Sequence, residues 1–326
     1  MLCLGIESTA HSYAVGIVDE KCSILANEKH AVITEEGGLI PRELAEHHLK
    51  YAKPVIENAL KKARVQLKDI DLIAFSQGPG IGSALTVGAV AARALSLAHG
   101  IPLIGVNHCV AHIEIGRKLT GAKNPLVVYV SGANSQIIGF ESGKYRVYGE
   151  TLDIGLGNLL DNFGRAMGLG FPAGPKLDEM YFNAKKLVEL PYSVKGMDLV
   201  FSGLLTAAEQ KIGKANETDL AYSLMHTALA MVSEVSERAL AHTEKKELLL
   251  VGGVAASRAL REMLQEMCKG QKAKFFVPPF GVCIDNGLMI AWQGLLEHVH
   301  GKRMALEETE INQRFRTDQV QVNWMK

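Results

Sequence analysis

Short, unbroken apolar runs recur along the chain, each closed by glycine or small polar residues. Between them lie longer stretches whose apolar positions repeat at helical spacing, and that alternation predicts an α/β protein. Leu2 to Ile6 and Tyr13 to Val18 read as strands joined by the turn Glu7-Ser8-Thr9-Ala10. Residues 31–68 read as polar and helical. One helix is expected to begin at Pro41, and a second to run from about Pro54 to Leu67 over the stripe Val55, Ile56, Ala59 and Leu60. Leu72 to Ser76 is a buried strand, followed by the glycine-rich Gln77–Ser83 and an apolar helix from Ala84 to Ala98. A strand at Ile101–Val106 leads into a helix carrying His108 and His112. Pro125–Val130 and Gln136–Phe140 are strands around the turn Ser131–Ser135. The last part reads as a helix with Asp161 and Arg165, a helix with Asp178 in its first turn, and helices from about 204 to 243. A strand at Glu247–Val251, a glycine loop at 252–257, a helix from Arg258 to Cys268 and a closing helix from Leu288 to His298 complete the pattern.

The strand–turn–strand at Glu7 is echoed at Ser131. This duplication predicts two similar lobes, each offering a hairpin to one ligand. In the first turn, backbone N–H groups and the hydroxyls of Ser8 and Thr9 would face an anion, and Glu7 would hold a metal or water. The glycines at 78, 80 and 82 form a second anion cradle before a helix N-terminus, without the Gly-Lys-Ser/Thr ending of a P-loop.

Composition narrows the possibilities. With 326 residues, 48% of them hydrophobic, the chain can bury a large core in two domains or one large one. Lys plus Arg and Asp plus Glu number 35 each, so global charge does not draw the protein to nucleic acid, and a polyanion partner requires a local patch or a helper subunit. Five scattered cysteines with no CxxC fit a reducing cytoplasm. No N-terminal signal and no bilayer-spanning run are expected.

The sharpest chemical feature is His108-Cys109-Val110-Ala111-His112. On a helix the two imidazoles share one face, one turn apart, as a shared divalent ion requires. Such pairs are also commonly structural. Asp285 precedes the closing helix, where capping is the usual role for Asp. Lys50, Lys53, Lys61, Lys62, Arg64 and Lys68 give residues 50–68 a basic face, which suits an ordinary solvated helix or a docking surface for RNA or a partner.

Taken together these segments resemble one family. Gly-Ile-Glu-Ser-Thr-Ala at 5–10, Ser-Gln-Gly-Pro-Gly at 76–80 and Gly-Val-Asn-His-Cys-Val-Ala-His-Ile-Glu at 105–114 carry the resemblance. So do Val-Ser-Gly-Ala-Asn-Ser-Gln at 130–136, Phe-Ser-Gly-Leu-Leu-Thr-Ala-Ala at 201–208, Gly-Gly-Val-Ala-Ala at 252–256 and Asp-Asn-Gly-Leu-Met-Ile-Ala at 285–291. They resemble, over essentially the whole chain, the tRNA threonylcarbamoyladenosine synthase subunit of the archaeal and eukaryotic KEOPS complex. The resemblance implies an actin-like ATPase (ASKHA) fold of two related lobes, each with a mixed sheet flanked by helices. One lobe would span 1–123, with a helical insertion at about 31–68 and the segment from about 300 to 326 packing back on it. The other would span 124–299, with ligand and metal in the cleft.

The resemblance further implies one divalent ion, Fe(II) or Zn(II), on His108, His112 and Asp285, with Tyr129 as a candidate further ligand. An adenine nucleotide (threonylcarbamoyl-AMP, ATP or an analogue) would contact Tyr129, Val130, Ser131, Gly132, Ala133, Asn134, Asp161, Gly174, Asp178 and Ser257. No nucleophilic side chain is implied: the amine of an adenosine beside the anticodon attacks the carbamoyl carbonyl and AMP leaves. Implied partners are tRNA, a small kinase subunit and the other KEOPS subunits, with no membrane. The chain departs from the family pattern at Ser8, Ala133, Ser135, Asp178 (for Glu) and Ser257 (for Asn), so a weaker nucleotide grip is expected. Three rival readings remain. A helical zinc protease would need Glu directly after the first His, where this chain has Cys109. A phosphotransferase or ATPase of the same fold, and a non-catalytic assembly subunit, are the others.

Overall fold

A computed structural model describes residues 1–33 and 40–325; residues 34–39, inside the region predicted as helical, and Lys326 lie outside the described residues. The chain begins with β1 (Leu2–Glu7), β2 (Ser12–Asp19) and β3 (Ile24–Ala31). Helix α1 (Pro41–Ala63), β4 (Leu72–Gly78), α2 (Gly82–His99), β5 (Leu103–Asn107) and α3 (His108–Thr120) follow. β6 (Leu126–Val130), β7 (Ser135–Glu141) and β8 (Lys144–Glu150) then lead to α4 (Leu156–Ala166) and α5 (Gly174–Asn183). After a small hairpin, β9 (Val194–Lys195) and β10 (Asp198–Leu199), come α6 (Ser202–Glu209), α7 (Glu217–Thr243), β11 (Glu247–Val251), α8 (Arg258–Gly270), β12 (Lys274–Phe276), α9 (Phe280–Cys283) and α10 (Gly287–Val299).

Among the described residues the main strands form two sheets with the same plan. The first runs β3-β2-β1-β4-β5 and the second β8-β7-β6-β11-β12. In each, three antiparallel strands are extended by two parallel ones. The expected duplication is therefore real at the level of whole sheets. The two-residue period sorts the side chains: Leu126, Val128 and Val130 face a core shared with α4 to α8, while Val127 and Tyr129 face α3. In the first sheet Leu4 and Ile6 meet α1 and α2, and Cys3, Leu72 and Ala74 meet α3 and α10.

Three sequence expectations change. Residues 41–63 form one helix with Pro54 inside it, not two helices. Lys50, whose carbonyl loses its N–H partner, and Lys53 and Pro54 are all exposed, so the break falls on the solvent side of the helix. Asp178 lies beyond the first turn of α5. Helix α10, grouped with the second lobe by sequence position, packs on β1, β2 and β4 of the first sheet. The polypeptide after residue 300 touches both sheets: Gln77 Nε2 donates to the carbonyls of Glu308 and Glu310 (2.9 and 2.7 Å), and Val322 N–H donates to the Gly143 carbonyl (3.1 Å).

α10 reaches the first sheet because glycine meets glycine. A Cβ on Gly287 would stand 2.0 Å from the Gly16 nitrogen, and one on Gly5 would stand 2.2 Å from the Ala291 nitrogen. Both obstacles are backbone, so no rotamer relieves them. Gly287→Ala is expected to destabilise by about 3 kcal/mol or more in urea unfolding. Gly203→Ala, in α6 with nothing within 4 Å, should be neutral or stabilising by up to about 1 kcal/mol.

Candidate metal and nucleotide site

Helix α3 starts at His108 because Asn107 ends β5 and caps the helix: its side-chain oxygen accepts the Val110 N–H at 3.1 Å. The Asn107 amide donates to the Phe315 carbonyl at 2.9 Å, which ties the cap to the C-terminal segment. From His108 to Gly116 every residue of α3 is buried. The two imidazoles share the helix face turned to the loop between α9 and α10. Their Nε2 atoms lie 3.5 Å (His108) and 3.3 Å (His112) from the same oxygen, Asp285 Oδ1.

Asp285 does not cap α10. That role belongs to Asn286, whose side chain accepts the Met289 N–H at 3.0 Å, leaving the Asp285 carboxylate to the histidines. One donor atom from each of His108, His112 and Asp285 lies within 4.8 Å of the others. Tyr129 stands beside them, its ring 5.6 Å from that of His112, and burial pushes its phenol well above the usual range.

Glu7 completes the geometry from behind. Its Oε2 lies 2.9 Å from His108 Nδ1, and its Oε1 accepts both the N–H (2.6 Å) and the hydroxyl (2.5 Å) of Thr9. With His108 Nδ1 engaged by Glu7, Nε2 is the nitrogen left to face Asp285, and a proton or a metal ion there would bridge the two. Burial disfavours the imidazolium, yet Glu7 and then Asp285 hold the His108 pKa up to about 9. Burial likewise opposes ionisation of Asp285, but the hydrogen bond from His112 and the nearby histidines keep it well below the usual carboxylate range. Burial lowers the pKa of His112. These groups suit a divalent ion: two imidazoles and a carboxylate, with a carboxylate fixing the far nitrogen of one ring.

The turn after β1 is thus not an open anion cradle. Glu7 and Ser8 are wholly buried and Thr9 nearly so. Ser8 N–H donates inward to Ser76 Oγ at 3.0 Å, and the Thr9 donors are engaged by Glu7. The sequence reading missed His11, at the end of that turn. Its ring meets Phe171, in the loop before α5, edge-on at 5.8 Å. A histidine in a strand-connecting turn carries no pattern that would have singled it out.

The other half lies at the C-terminal end of the second sheet. The turn Ser131–Asn134 is closed by Ser131 N–H donating to the Asn134 carbonyl at 2.8 Å. The carbonyls of Ser131 and Gly132 accept the N–H groups of Gly157 and Asn158 at the start of α4. Gly252, at φ +95°, brings its loop so close that a Cβ would sit 2.3 Å from the Val130 carbonyl oxygen. Asp161 is partly buried, which raises its pKa; one oxygen accepts the Ala173 N–H at 2.9 Å and, among the described residues, no donor meets the other. A Cβ on Gly174 would meet nothing within 4 Å.

Asp178 and Ser257 behave differently. Asp178 Oδ1 accepts the Ser257 hydroxyl (2.5 Å) and the Ala259 N–H (3.2 Å), and Oδ2 accepts the Arg258 N–H (3.0 Å). Asp178 and Ser257 therefore satisfy each other and cap α8.

Two mixed sheets of identical plan, flanked by helices, define the actin-like ATPase fold class. The fold is shared with HypF from T. kodakarensis (TM-score 0.63, 15% identity, 92% of this chain and 47% of that one). It is shared too with component A of (R)-2-hydroxyglutaryl-CoA dehydratase from Acidaminococcus fermentans (TM-score 0.60, 15% identity, 92% and 99%). Within that class, the family model for TsaD, tRNA N6-adenosine threonylcarbamoyltransferase, matches residues 22–292, and the chain belongs to that transferase family. It is 54% identical over 326 residues to tRNA N6-adenosine threonylcarbamoyltransferase of Thermococcus sibiricus, covering 99% of this chain and all of that one. It is also 54% identical to a probable bifunctional tRNA threonylcarbamoyladenosine biosynthesis protein of Methanothermobacter thermautotrophicus, aligning over its own full length but only 61% of that protein.

Because its carboxylate caps α8, Asp178→Ala should destabilise the fold by about 1–2 kcal/mol in chemical denaturation without any ligand. A change below about 0.3 kcal/mol would show that the carboxylate is not holding the helix.

Proposed function

We propose that the chain is the metal-binding catalytic subunit of a KEOPS-type assembly. It would move the threonylcarbamoyl group of threonylcarbamoyl-AMP to the exocyclic amine of the adenosine adjacent to the anticodon, in tRNAs reading ANN codons. The observation that carries this reading is the convergence of His108, His112 and Asp285, brought from positions 173 residues apart onto one point, with Glu7 behind them. In this reading residues 1–123 with the segment from about 300 form one lobe and 124–299 the other, α10 crossing to the first sheet. The reacting groups lie between.

His108, His112 and Asp285 would hold Fe(II) or Zn(II), with Tyr129 beside them; a His/His/carboxylate set accepts either. When bound, such an ion supplies Lewis-acid stabilisation of negative charge on the donor's carbonyl oxygen. The remaining work belongs to the protein's own groups. Glu7 fixes the tautomer and aim of His108. Asp161 has an oxygen free for the ribose diol. The Val130–Asn134 turn and the Gly252–Ser257 loop bring backbone close enough to clasp the adenosine and its phosphate, with Gly174 leaving room. Asp178 and Ser257 hold α8 in place beneath that loop. The adenosine nitrogen forms the new N–C bond, the C–O bond to the AMP phosphate breaks, and one amine proton is released. No side chain need attack, so orientation and electrostatics carry the rate.

The partners in this reading are tRNA, a small kinase subunit and the remaining KEOPS subunits. The bifunctional relative, longer than this chain and named for the same modification, supports an additional activity working beside it. Five free, buried cysteines suit a reducing cytoplasm. No helix among the described residues is long and apolar enough to cross a membrane.

The test supplies unmodified tRNA and threonylcarbamoyl-AMP to the protein with and without partner subunits. Wild type should yield threonylcarbamoyladenosine, and His108→Ala and Asp285→Ala at least about a hundredfold less. Equal product from all three would remove the metal from the mechanism, and no product from wild type in any combination would favour the ATPase or assembly reading. Separately, Glu7→Gln should weaken metal retention about ten- to a hundredfold, measured by elemental analysis after dialysis against a graded chelator. Unchanged retention would remove Glu7 from the site.

A further inference from the structure

At the opposite end of the second sheet from the candidate site lies a groove of about 450 Å³. It is floored by the starts of β6, β11 and β12 and walled by the end of α7. Lys123, Lys245, Lys246 and Lys274 line it, with Glu244 and Glu247 as its carboxylates. A second hollow of about 230 Å³ shares Glu244, Lys245 and Lys246 and lengthens the groove toward Gln271.

The lysines come from three separate segments. Strand order gathers them at one end of the sheet: Glu247 pairs with Lys274, Leu248 with Leu126, and the Lys274 N–H donates to the Lys246 carbonyl at 2.8 Å. Lys274 opens β12, Lys246 immediately precedes β11 and Lys123 lies three residues before β6, so the three cluster at the leading ends of neighbouring strands about 4.8 Å apart. Such a cluster of like charges repels itself, and nothing among the described residues fully relieves it. Among the described residues none of the four ammonium groups lies within 4.0 Å of a carboxylate, although Lys62, Lys269 and Lys302 elsewhere do. Glu247 turns inward, one oxygen accepting the N–H groups of Lys123 and Asn124 (2.9 and 3.0 Å). Lys245 is held by Asn124 Oδ1 at 2.6 Å and the Phe140 carbonyl at 3.3 Å, so it shapes the groove more than it offers charge. The negative end of α7 accounts for cations at 245 and 246, where the chain leaves the helix. It does not account for Lys123 and Lys274, which belong to other elements.

A chain with no net charge must concentrate its cations somewhere to hold a polyanion, and in this cluster the cations outnumber the carboxylates and, among the described residues, form no ion pair with them. We propose that the groove binds the phosphate backbone of the tRNA body, outside the anticodon arm. This rests on tRNA being the substrate. Position follows from strand length: Asn124 at the groove, two residues before β6, and Tyr129 near that strand's far end are five residues apart, about 17 Å of extended chain. An anticodon hairpin seated in the cleft would leave the groove to the rest of the molecule.

The test measures binding of full-length tRNA and of an isolated anticodon stem-loop by fluorescence anisotropy across a salt series. The proteins are wild type, the triple variant Lys123→Gln/Lys246→Gln/Lys274→Gln, and a control of equal charge change, Lys185→Gln/Lys186→Gln/Lys214→Gln. All positions are exposed, and thermal melts should confirm that all three proteins are folded. The groove variant should bind full-length tRNA roughly tenfold or more weakly, with a salt slope lower by about two to three. Its stem-loop affinity and the control should match wild type. Unchanged tRNA affinity in the groove variant would overturn the assignment, leaving an acidic protein surface as the groove's occupant. An equal loss in the control, or an equal loss for the stem-loop, would overturn it as well. Because binding is read without chemistry, this outcome is independent of the transfer assay, in which failure of wild type to modify any tRNA would count against the function itself.

Discussion

Helix α3 lies between two sheets and must satisfy both. Ala111 and Ile115 pack with the first sheet and α10; Cys109, Val110 and Ile113 pack with Val127, Tyr129, Leu249 and Val251 of the second. No face is left for solvent over its first nine residues, so both histidines are carried indoors whatever their chemistry. Burying two imidazoles is tolerable only with polar partners, and the partners come from opposite directions: Glu7 from the first strand and Asp285 from the loop before α10. The site is therefore a consequence of the wedge. If α3 moved against either sheet, the three groups would no longer meet.

The same wedge explains why small residues gather where they do. Gly116 lets α3 approach Val251, where a Cβ would stand 2.8 Å from its side chain. Gly5, Gly16 and Gly287 let α10 close over the first sheet, which delivers Asp285 to the histidines. Farther out, Glu114 is held by Arg117 and by the Tyr145 hydroxyl, linking α3 to β8. The C-terminal segment adds a further tie, from Gln77 and Asn107 on one sheet to Gly143 on the other. These contacts tie the two sheets to each other through α3 and the C-terminal segment.

Charge is distributed unevenly. Buried carboxylates and imidazoles from α3, β1 and the loop before α10 pair with one another, while four lysines gather at the far end of the second sheet. A net charge near zero conceals that separation, because it sums the two regions.

Most central elements were legible in the chain. β1, β4, β5, β6 and β11 are apolar on both faces, and unbroken runs such as Leu126–Val130 cannot be stable elsewhere than in a buried sheet. β3 and β8 were not legible: Ile24–Ala31 and Lys144–Glu150 are polar and half exposed, and exist as strands because β2 and β7 offer them hydrogen bonds. Pro54 suggested a helix boundary, yet the apolar stripe through Val55, Ile56 and Ala59 keeps α1 continuous, because burying it outweighs one lost hydrogen bond. The sequence by itself determined the class of fold and the presence of a histidine pair on one helical face, since local spacing and apolar runs encode both. Only the tertiary structure decided that Asn286 caps α10 and frees Asp285, that Glu7 turns inward to His108, and that Asp178 and Ser257 bind each other. The cap is a local choice between two adjacent side chains, Asp285 and Asn286; the other contacts join groups across more than seventy residues of intervening chain, where burial and hydrogen-bond satisfaction rather than spacing select the partner.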